Sequence, residues 1–280
     1  MNAKPALYLI DGHAMVFRAH YAFINRPLMN SKGQNVSAIN GFVRSIIEII
    51  KNRKPSHIGI VFDPPGNTFR SELYADYKAQ RDATPEDIIF AIPHIVSIMQ
   101  GMNIPVEVIS GFEADDVIGT LAKKAEQAGF QVFMVSPYKD FAQLVSEQIF
   151  QYKPARFGND IAIVDPPSVL KKWNIQRIDQ VIDILGLMGD KVDNIPGLPG
   201  VGAKTAEKLI AEFDSIEGVI HNADKVKGKV GETIINYADQ ALLSKKLATI
   251  ETNVPVDFIP EHYLIEAPDQ EKLIPIFREL

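Results

Sequence analysis

Four apolar segments in this chain run into carboxylates, and helical patterns separate them. Ala6-Leu7-Tyr8-Leu9-Ile10 stops at Asp11, and His57-Ile58-Gly59-Ile60-Val61-Phe62 stops at Asp63. Val106 to Ser110 leads into Glu113, Asp115 and Asp116, and Gln131 to Val135 leads towards Asp140. Short continuous apolar runs bounded by turn residues read as buried strands. Between them, Val36 to Lys51 places Ile39, Phe42, Val43, Ile46, Ile47 and Ile50 on one side of a helix. Thr84 as N-cap and Pro85 in the first turn mark another helix start. Strands alternating with helices predict an α/β fold with a mainly parallel central sheet flanked by helices. Parallel strands bring their carboxyl ends to one edge, where ligands of such sheets bind. One acid at a strand end is ordinary capping; four such endings predict a shared site.

The segment Gly111-Phe112-Glu113-Ala114-Asp115-Asp116 places three acids where a strand gives way to a helix carrying Val117, Ile118, Leu121 and Ala122. A helix N-terminus favours negative charge, yet three neighbouring carboxylates repel one another, and a divalent cation relieves that. Asp190 and Asp193 form a further acidic pair. Carboxylates without His or Cys suit magnesium or manganese rather than zinc. Two such ions can activate a water and stabilise the leaving oxygen of a phosphodiester, so phosphoryl cleavage leads among the functions.

Pro64 to Ala83 is poor in aliphatics and carries Arg70, Tyr77, Lys78 and Arg81. An excursion of that length in a packed domain is more often functional than idle. Further on, Ile195-Pro196-Gly197-Leu198-Pro199-Gly200-Val201-Gly202-Ala203-Lys204-Thr205 imitates a nucleotide-binding P-loop but breaks the Gly-Lys-Thr run with Ala203. It reads instead as a tight turn feeding a helix from Ala203 to Phe213, with glycine amides open to a phosphate. The pattern resembles a helix-hairpin-helix, a binder of DNA backbone without sequence preference, so residues 1–185 are expected to form the α/β domain with the carboxylate site, and residues 186–280 a helical DNA-binding region.

The chain has 280 residues, 46% of them hydrophobic, and no cysteine, which excludes disulfides and thiolate chemistry. No run approaches a transmembrane helix in length. A cytoplasmic monomer without membrane contact is the expectation. The net charge of −6 does not by itself decide against DNA, because acids gathered in a metal site can mask a basic surface elsewhere.

Taken together, Leu9-Ile10-Asp11-Gly12-His13, Val61-Phe62-Asp63, Tyr77-Lys78-Ala79-Gln80-Arg81, Gly111 to Asp116, Gly189 to Asn194 and the glycine-rich turn resemble the 5′ nuclease domain of bacterial DNA polymerase I, a relative of the flap endonucleases. The resemblance covers nearly the whole chain. It implies a magnesium- or manganese-dependent 5′-3′ exonuclease and flap endonuclease that acts in the nucleoid, with a helical arch and a C-terminal helix-hairpin-helix. By that resemblance Asp11, Asp63, Glu113 and Asp115 hold one metal ion. Asp140, Asp190 and Asp193 hold or surround a second, with Asp115 between them and Asp116 close by. Lys78 and Arg81 would contact the scissile phosphate, and Phe17 would stack near a displaced base. Arg70 and Tyr77 join Gly197, Gly200, Gly202, Lys204 and Thr205 as expected DNA contacts, with a potassium ion at the hairpin. Family members continue past the hairpin region towards a polymerase.

One position departs from that pattern. Where the family reads Asp-Lys-Asp, this chain reads Tyr138-Lys139-Asp140. A neutral phenol is a poor ligand for a hard cation. The expectation is therefore a nuclease with impaired second-metal chemistry, the alternative being an inactive flap- or junction-binding module. An acid-cluster phosphatase fits less well, because Asp11 is followed by Gly12-His13 rather than by a second Asp two residues on.

Overall fold

The computed structural model describes residues 4–155 and 160–280. The first apolar run forms β1 (Ala6–Asp11), which passes directly into α1 (Gly12–Ala22) because the Asp11 side chain caps that helix. α2 (Ser37–Arg53) returns to β2 (His57–Val61), and α3 (Phe69–Leu73) and α4 (Glu86–Gly101) lead to β3 (Val106–Glu107). α5 (Ala114–Gln127) connects to β4 (Gln131–Val135), and β5 (Ile149–Lys153) and β6 (Ala162–Val164) complete the sheet. The helical remainder comprises α6 (Pro166–Trp173), α7 (Gln180–Met188), α8 (Ala203–Phe213), α9 (Ile216–His221), α10 (Lys229–Asn236), α11 (Ala238–Ala248) and α12 (Gln270–Glu279).

The sheet order is β3-β2-β1-β4-β5-β6, parallel throughout except for antiparallel β6. The order reverses direction beside β1, which is where an open parallel sheet leaves a crevice at its carboxyl edge. Asp11 pairs in register with Val61, two residues before Asp63, so both acids leave the sheet at that edge. Apolar layers cover both faces. On one, Phe42 and Ile46 of α2 and Ile88 and Ile98 of α4 are buried against β1 and β2. On the other, Val117, Ile118 and Leu121 of α5 pack with Val181 and Ile184 of α7. Each such side chain contributes roughly 1.5–3 kcal/mol on full burial.

Two local expectations shift. The run from Val106 to Ser110 keeps only two residues in the sheet, because β3 is an edge strand bonded to β2 alone. The chain then leaves through Gly111 at φ +85° and turns towards α5. Pro85 caps α4 rather than starting it. Between α3 and α4, residues 75–80 are turns, so the arch segment is a short helix followed by tight turns. α7 and α11 cross almost backbone to backbone, since a side chain at Gly186 would meet Lys245 main-chain atoms at 3.0 Å. No helix among the described residues is long and apolar enough to cross a membrane.

Candidate active site

Asp11 is buried, with Oδ1 accepting from the Ala14 amide at 3.0 Å and Oδ2 accepting from Ser136 Oγ at 2.9 Å. Burial, then the negative charge of Asp63, pushes its pKa up to about 6. Asp63 Oδ1 accepts from the Ala114 amide at 2.7 Å, which ties β2 to the start of α5. His13 Nδ1 stands 3.1 Å from Asp63 Oδ2. Burial works against the Asp63 carboxylate, but His13 and the Ala114 amide outweigh it and hold the pKa at about 2.

α5 begins with acids in reciprocal caps. Glu113 occupies the N-cap, and its amide donates to Asp116 Oδ2 at 3.0 Å. Asp116 is fully buried, and both its oxygens are taken: Arg70 donates to each at 2.7 Å, and the Glu251 amide donates to Oδ1 at 2.8 Å. Arg70 also donates to Glu113 Oε2 at 3.1 Å and to the Leu247 and Thr249 carbonyls at 2.9 and 2.7 Å. Tyr77 Oη donates to the same Glu113 oxygen at 2.9 Å. Glu113 is thus aimed from behind, with its other oxygen, Oε1, turned to Lys78. Ligand atoms of Glu113, Asp115 and Asp116 lie within 4.8 Å of one another.

Asp115 and Asp140 each keep one buried oxygen, Oδ1, without a hydrogen-bond partner. Both line a void of about 10 Å³ that Asp190 and Asp193 also border, about the space of one water-sized sphere. Burial, then neighbouring acids, raises the Asp140 pKa to about 6, and burial lifts Asp115 well above the carboxylate range. Orphaned, mutually repelling carboxylate oxygens around so small a space are a donor set for a hard divalent cation. The residues present therefore fit a metal ion. Gln143 fixes this side of the site, donating to the Asp140 and Ala248 carbonyls at 3.0 Å each.

Facing the acids is a cleft of about 510 Å³, lined by Asp11, Asp63, Glu113, Asp115, Asp140, Asp190 and Asp193 together with Lys78, Arg81, Phe17 and Tyr138. Lys78 Nζ donates to Glu113 Oε1 and Arg81 Nη2 to Asp193 Oδ1, both at 2.6 Å, while Lys139 pairs with Asp190 at 3.0 Å. Lys78 holds φ +56°, a left-handed conformation rare outside glycine, and its amide donates to the Asp193 carbonyl. Burial alone would lower the Lys78 pKa; the charges of Glu113, Asp193 and Asp115 raise it instead. Tyr138 is half exposed, and burial followed by the charge of Asp11 pushes its phenol up to about 12. The phenol is therefore neutral and gives the cleft no carboxylate at this position.

Residues 6–174 match the family model of the 5′-3′ exonuclease N-terminal, resolvase-like domain, and residues 176–271 match that of the 5′-3′ exonuclease C-terminal SAM fold. The chain belongs to the 5′-3′ exonuclease family. The chain is 38% identical to DNA polymerase I of Bacillus caldotenax over 99% of its own length and 31% of that protein. It is 37% identical to DNA polymerase I of Bacillus subtilis over 100% of its length and 32% of that protein. It thus spans about a third of the curated relatives it matches. Its fold is that of T5 5′-exonuclease solved with bound zinc, with a TM-score of 0.75 at 20% identity, covering 98% of this chain and 97% of that one. The catalytic core of Rad2 in complex with DNA substrate matches with a TM-score of 0.62 at 18% identity, covering 99% and 87% of the two chains.

Three residues expected to touch DNA are turned inward in this family member. Arg70 is 1% exposed and its donors are spent on carboxylates and carbonyls. Tyr77 is buried with its hydroxyl on Glu113. Gly197 is buried, its amide donating to Ser244 Oγ at 3.0 Å and its carbonyl accepting from Gln240 at 2.6 Å. These three shape the site from within. Gly200, Gly202 and Lys204 are exposed at the turn into α8, and Thr205 is half-buried there. Ser136, Gln143 and Lys139 join the expected site residues. Ser136 stands directly after a strand that leads to an acid and Lys139 lies within the Tyr138-Lys139-Asp140 motif, whereas Gln143 carries no signal in the sequence.

Proposed function

We propose that this chain is a structure-specific 5′ nuclease that hydrolyses DNA phosphodiesters near a 5′ end or flap, using two divalent metal ions, magnesium or manganese. The observation that carries this reading is the convergence of two sets of carboxylates on one cleft, with Lys78 and Arg81 paired to them. Asp11, Asp63, Glu113 and Asp115 would hold the first ion, and Asp115, Asp140, Asp190 and Asp193 the second. Bound there, the ions would supply a hydroxide nucleophile and offset charge on the leaving oxygen.

The chain's own residues do the rest. Ser136 and the Ala14 amide fix Asp11, and Arg70 and Tyr77 fix Glu113, so the ligands are oriented before any ion arrives. Lys78 and Arg81 move from carboxylates to the phosphate and stabilise its developing charge. Phe17, on the cleft wall, gives a base a stacking surface. The open amides at Gly200 and Gly202, with Lys204, grip the backbone of the duplex. The resemblance adds a potassium ion at that hairpin. Tyr138 replaces one acid of the second set, so binding outlasts catalysis. That substitution favours a second reading, a flap- or junction-binding module without turnover.

Cleavage and binding of one 5′-labelled flap, with magnesium and then manganese, separate the two. Metal-dependent cuts at the flap junction are expected to be slow beside tight binding. Binding with no cleavage under either metal leaves the module, and indifference to both DNA and metal overturns both readings.

A further inference from the structure

α11 joins the two halves of the site. At its C-terminal end, the Leu247 and Thr249 carbonyls accept from Arg70, which holds Glu113 and Asp116. The Ala248 carbonyl accepts from Gln143, whose amide nitrogen also reaches the Asp140 carbonyl, while its oxygen accepts from the Ile250 amide at 2.9 Å. Both sets of metal-facing acids are thus fastened to one helix end.

One to two turns earlier, the same helix holds the hairpin. Ser244 is fully buried; its hydroxyl accepts from the Gly197 amide and donates to the Gln240 carbonyl at 2.7 Å. Gln240 Nε2 donates to the Gly197 carbonyl. Gly197 itself sits at φ +59°, and any side chain there would collide with the backbone of Met188 and Gly189. The loop so pinned carries Asp190 and Asp193 at one end and the exposed Gly200 and Gly202 at the other. Main-chain bonds between Asp190 and Ile195 and from Leu198 to Leu187 make it one rigid piece.

We infer that Gln240 and Ser244 are positioning residues for cleavage: they clamp the Gly197 peptide, so that α11 sets the distance from the hairpin amides to the carboxylates and thereby selects which phosphodiester is cut. The inference rests on the nuclease reading above. Neither residue lines the acidic cleft or the small void between the acids, so loss of the clamp leaves the chemistry and the grip in place but frees one relative to the other. A displacement of about 1 Å at a reacting centre costs on the order of 10²-fold in rate.

The test is product mapping on a 5′-labelled flap under single turnover. Gln240→Ala, Ser244→Ala and the hydroxyl-keeping Ser244→Thr are each made in the chain as it stands and with Tyr138→Asp. Gln240 is only half-buried, so its substitution keeps the protein folded even where Ser244→Ala does not. Both alanine variants are expected to spread cuts over neighbouring phosphodiesters, with Ser244→Thr returning the parental pattern. Flap affinity in calcium should change by less than about threefold, under 1 kcal/mol. A merely structural clamp would lower the melting temperature and leave the product pattern unchanged, which overturns the inference. No cleavage by either parent overturns the nuclease reading instead.

Discussion

Arg70 and Asp116 meet fork to fork, two bonds of 2.7 Å each, at a point where Arg70 is 1% exposed and Asp116 not at all. A bidentate guanidinium pair of this kind fixes orientation as well as charge. Because Arg70 also holds Glu113 and the end of α11, one buried cation ties the arch segment, the acid-bearing start of α5 and the C-terminal region together.

Arg70→Ala leaves Asp116 buried without its counter-charge, a loss of about 3–5 kcal/mol in urea unfolding. Arg70→Lys keeps the charge but not the fork. The lysine variant should remain folded and bind manganese about 10- to 100-fold more weakly, because Glu113 loses its support. The Arg70→Ala variant, which lacks the charge, should when folded keep the parental salt dependence of DNA affinity in calcium. A salt slope reduced by about one in that variant would restore Arg70 as a phosphate contact.

Lys78 and Arg81 reach the cleft acids at 2.6 Å each, and stabilising a transferring phosphate demands the same reach. With Tyr138→Asp as the parent, alanine at either position should cut the single-turnover rate by roughly 10²–10³-fold. Flap binding in calcium should move far less. Equal losses in rate and affinity would make both residues docking groups.

The edge of acids was legible because each follows an apolar run whose partner strands are parallel. Asp11 and Asp63 needed only local pattern plus the alternation of strands and helices. Arg70 was not legible: in sequence it is one more basic residue in a polar excursion. Its burial depends on carbonyls of Leu247 and Thr249, which lie far along the chain and end a helix whose position no local pattern reports. Gly197 misled for a related reason. A glycine-rich turn at a helix start suggests open amides, and Gly200 and Gly202 have that exposure, but Gly197 turns its peptide towards Ser244 and Gln240. Periodicity reports which face is apolar, not which distant helix covers it.

The acids also set a pH dependence. In the metal-free protein Asp11 and Asp140 are raised from 3.8 to about 6, by burial first and then by neighbouring carboxylates. A raised acid contributes stability that is full below pH 3.8 and is lost as pH climbs through 6. Asp63, held at about 2, acts oppositely, but its contribution changes only below 3.8 and is constant across this window. Stability from these groups therefore falls between about pH 4 and pH 7 in chelator. Metal ions need the ionised form, so the rise in melting temperature with magnesium should grow over the same range. A magnesium shift equal at about pH 5 and pH 7.5 would remove Asp11 and Asp140 from the metal sites.

Tyr138→Asp adds a carboxylate beside Asp11, Asp63 and Asp193, whose charges already act on the phenol. Cleavage of a flap at saturating magnesium should rise on the order of 10²–10⁴-fold, the scale of a main electrostatic element. Calorimetric titration with manganese should show the second ion binding more tightly, independently of turnover. Rates within about threefold of each other, less than 1 kcal/mol, would make Tyr138 harmless.

The hairpin offers a substitution that separates folding from DNA contact. A side chain added at Gly202 meets nothing within 4 Å, and the residue is exposed in extended backbone at φ −99°, so any L-residue fits. Gly200 has the same open space but sits at φ +77°, where a side chain is strained. Gly202→Leu should therefore melt with the parent, yet keep a phosphate from reaching the first amides of α8. Duplex affinity is expected to fall about tenfold, or 1.4 kcal/mol. Lys204→Gln should weaken binding evenly across sequences and lower the salt slope by about one. Melting as the parent with unchanged affinity in both variants would mean that duplex DNA is gripped elsewhere, and the turn into α8 would then serve only to join two helices.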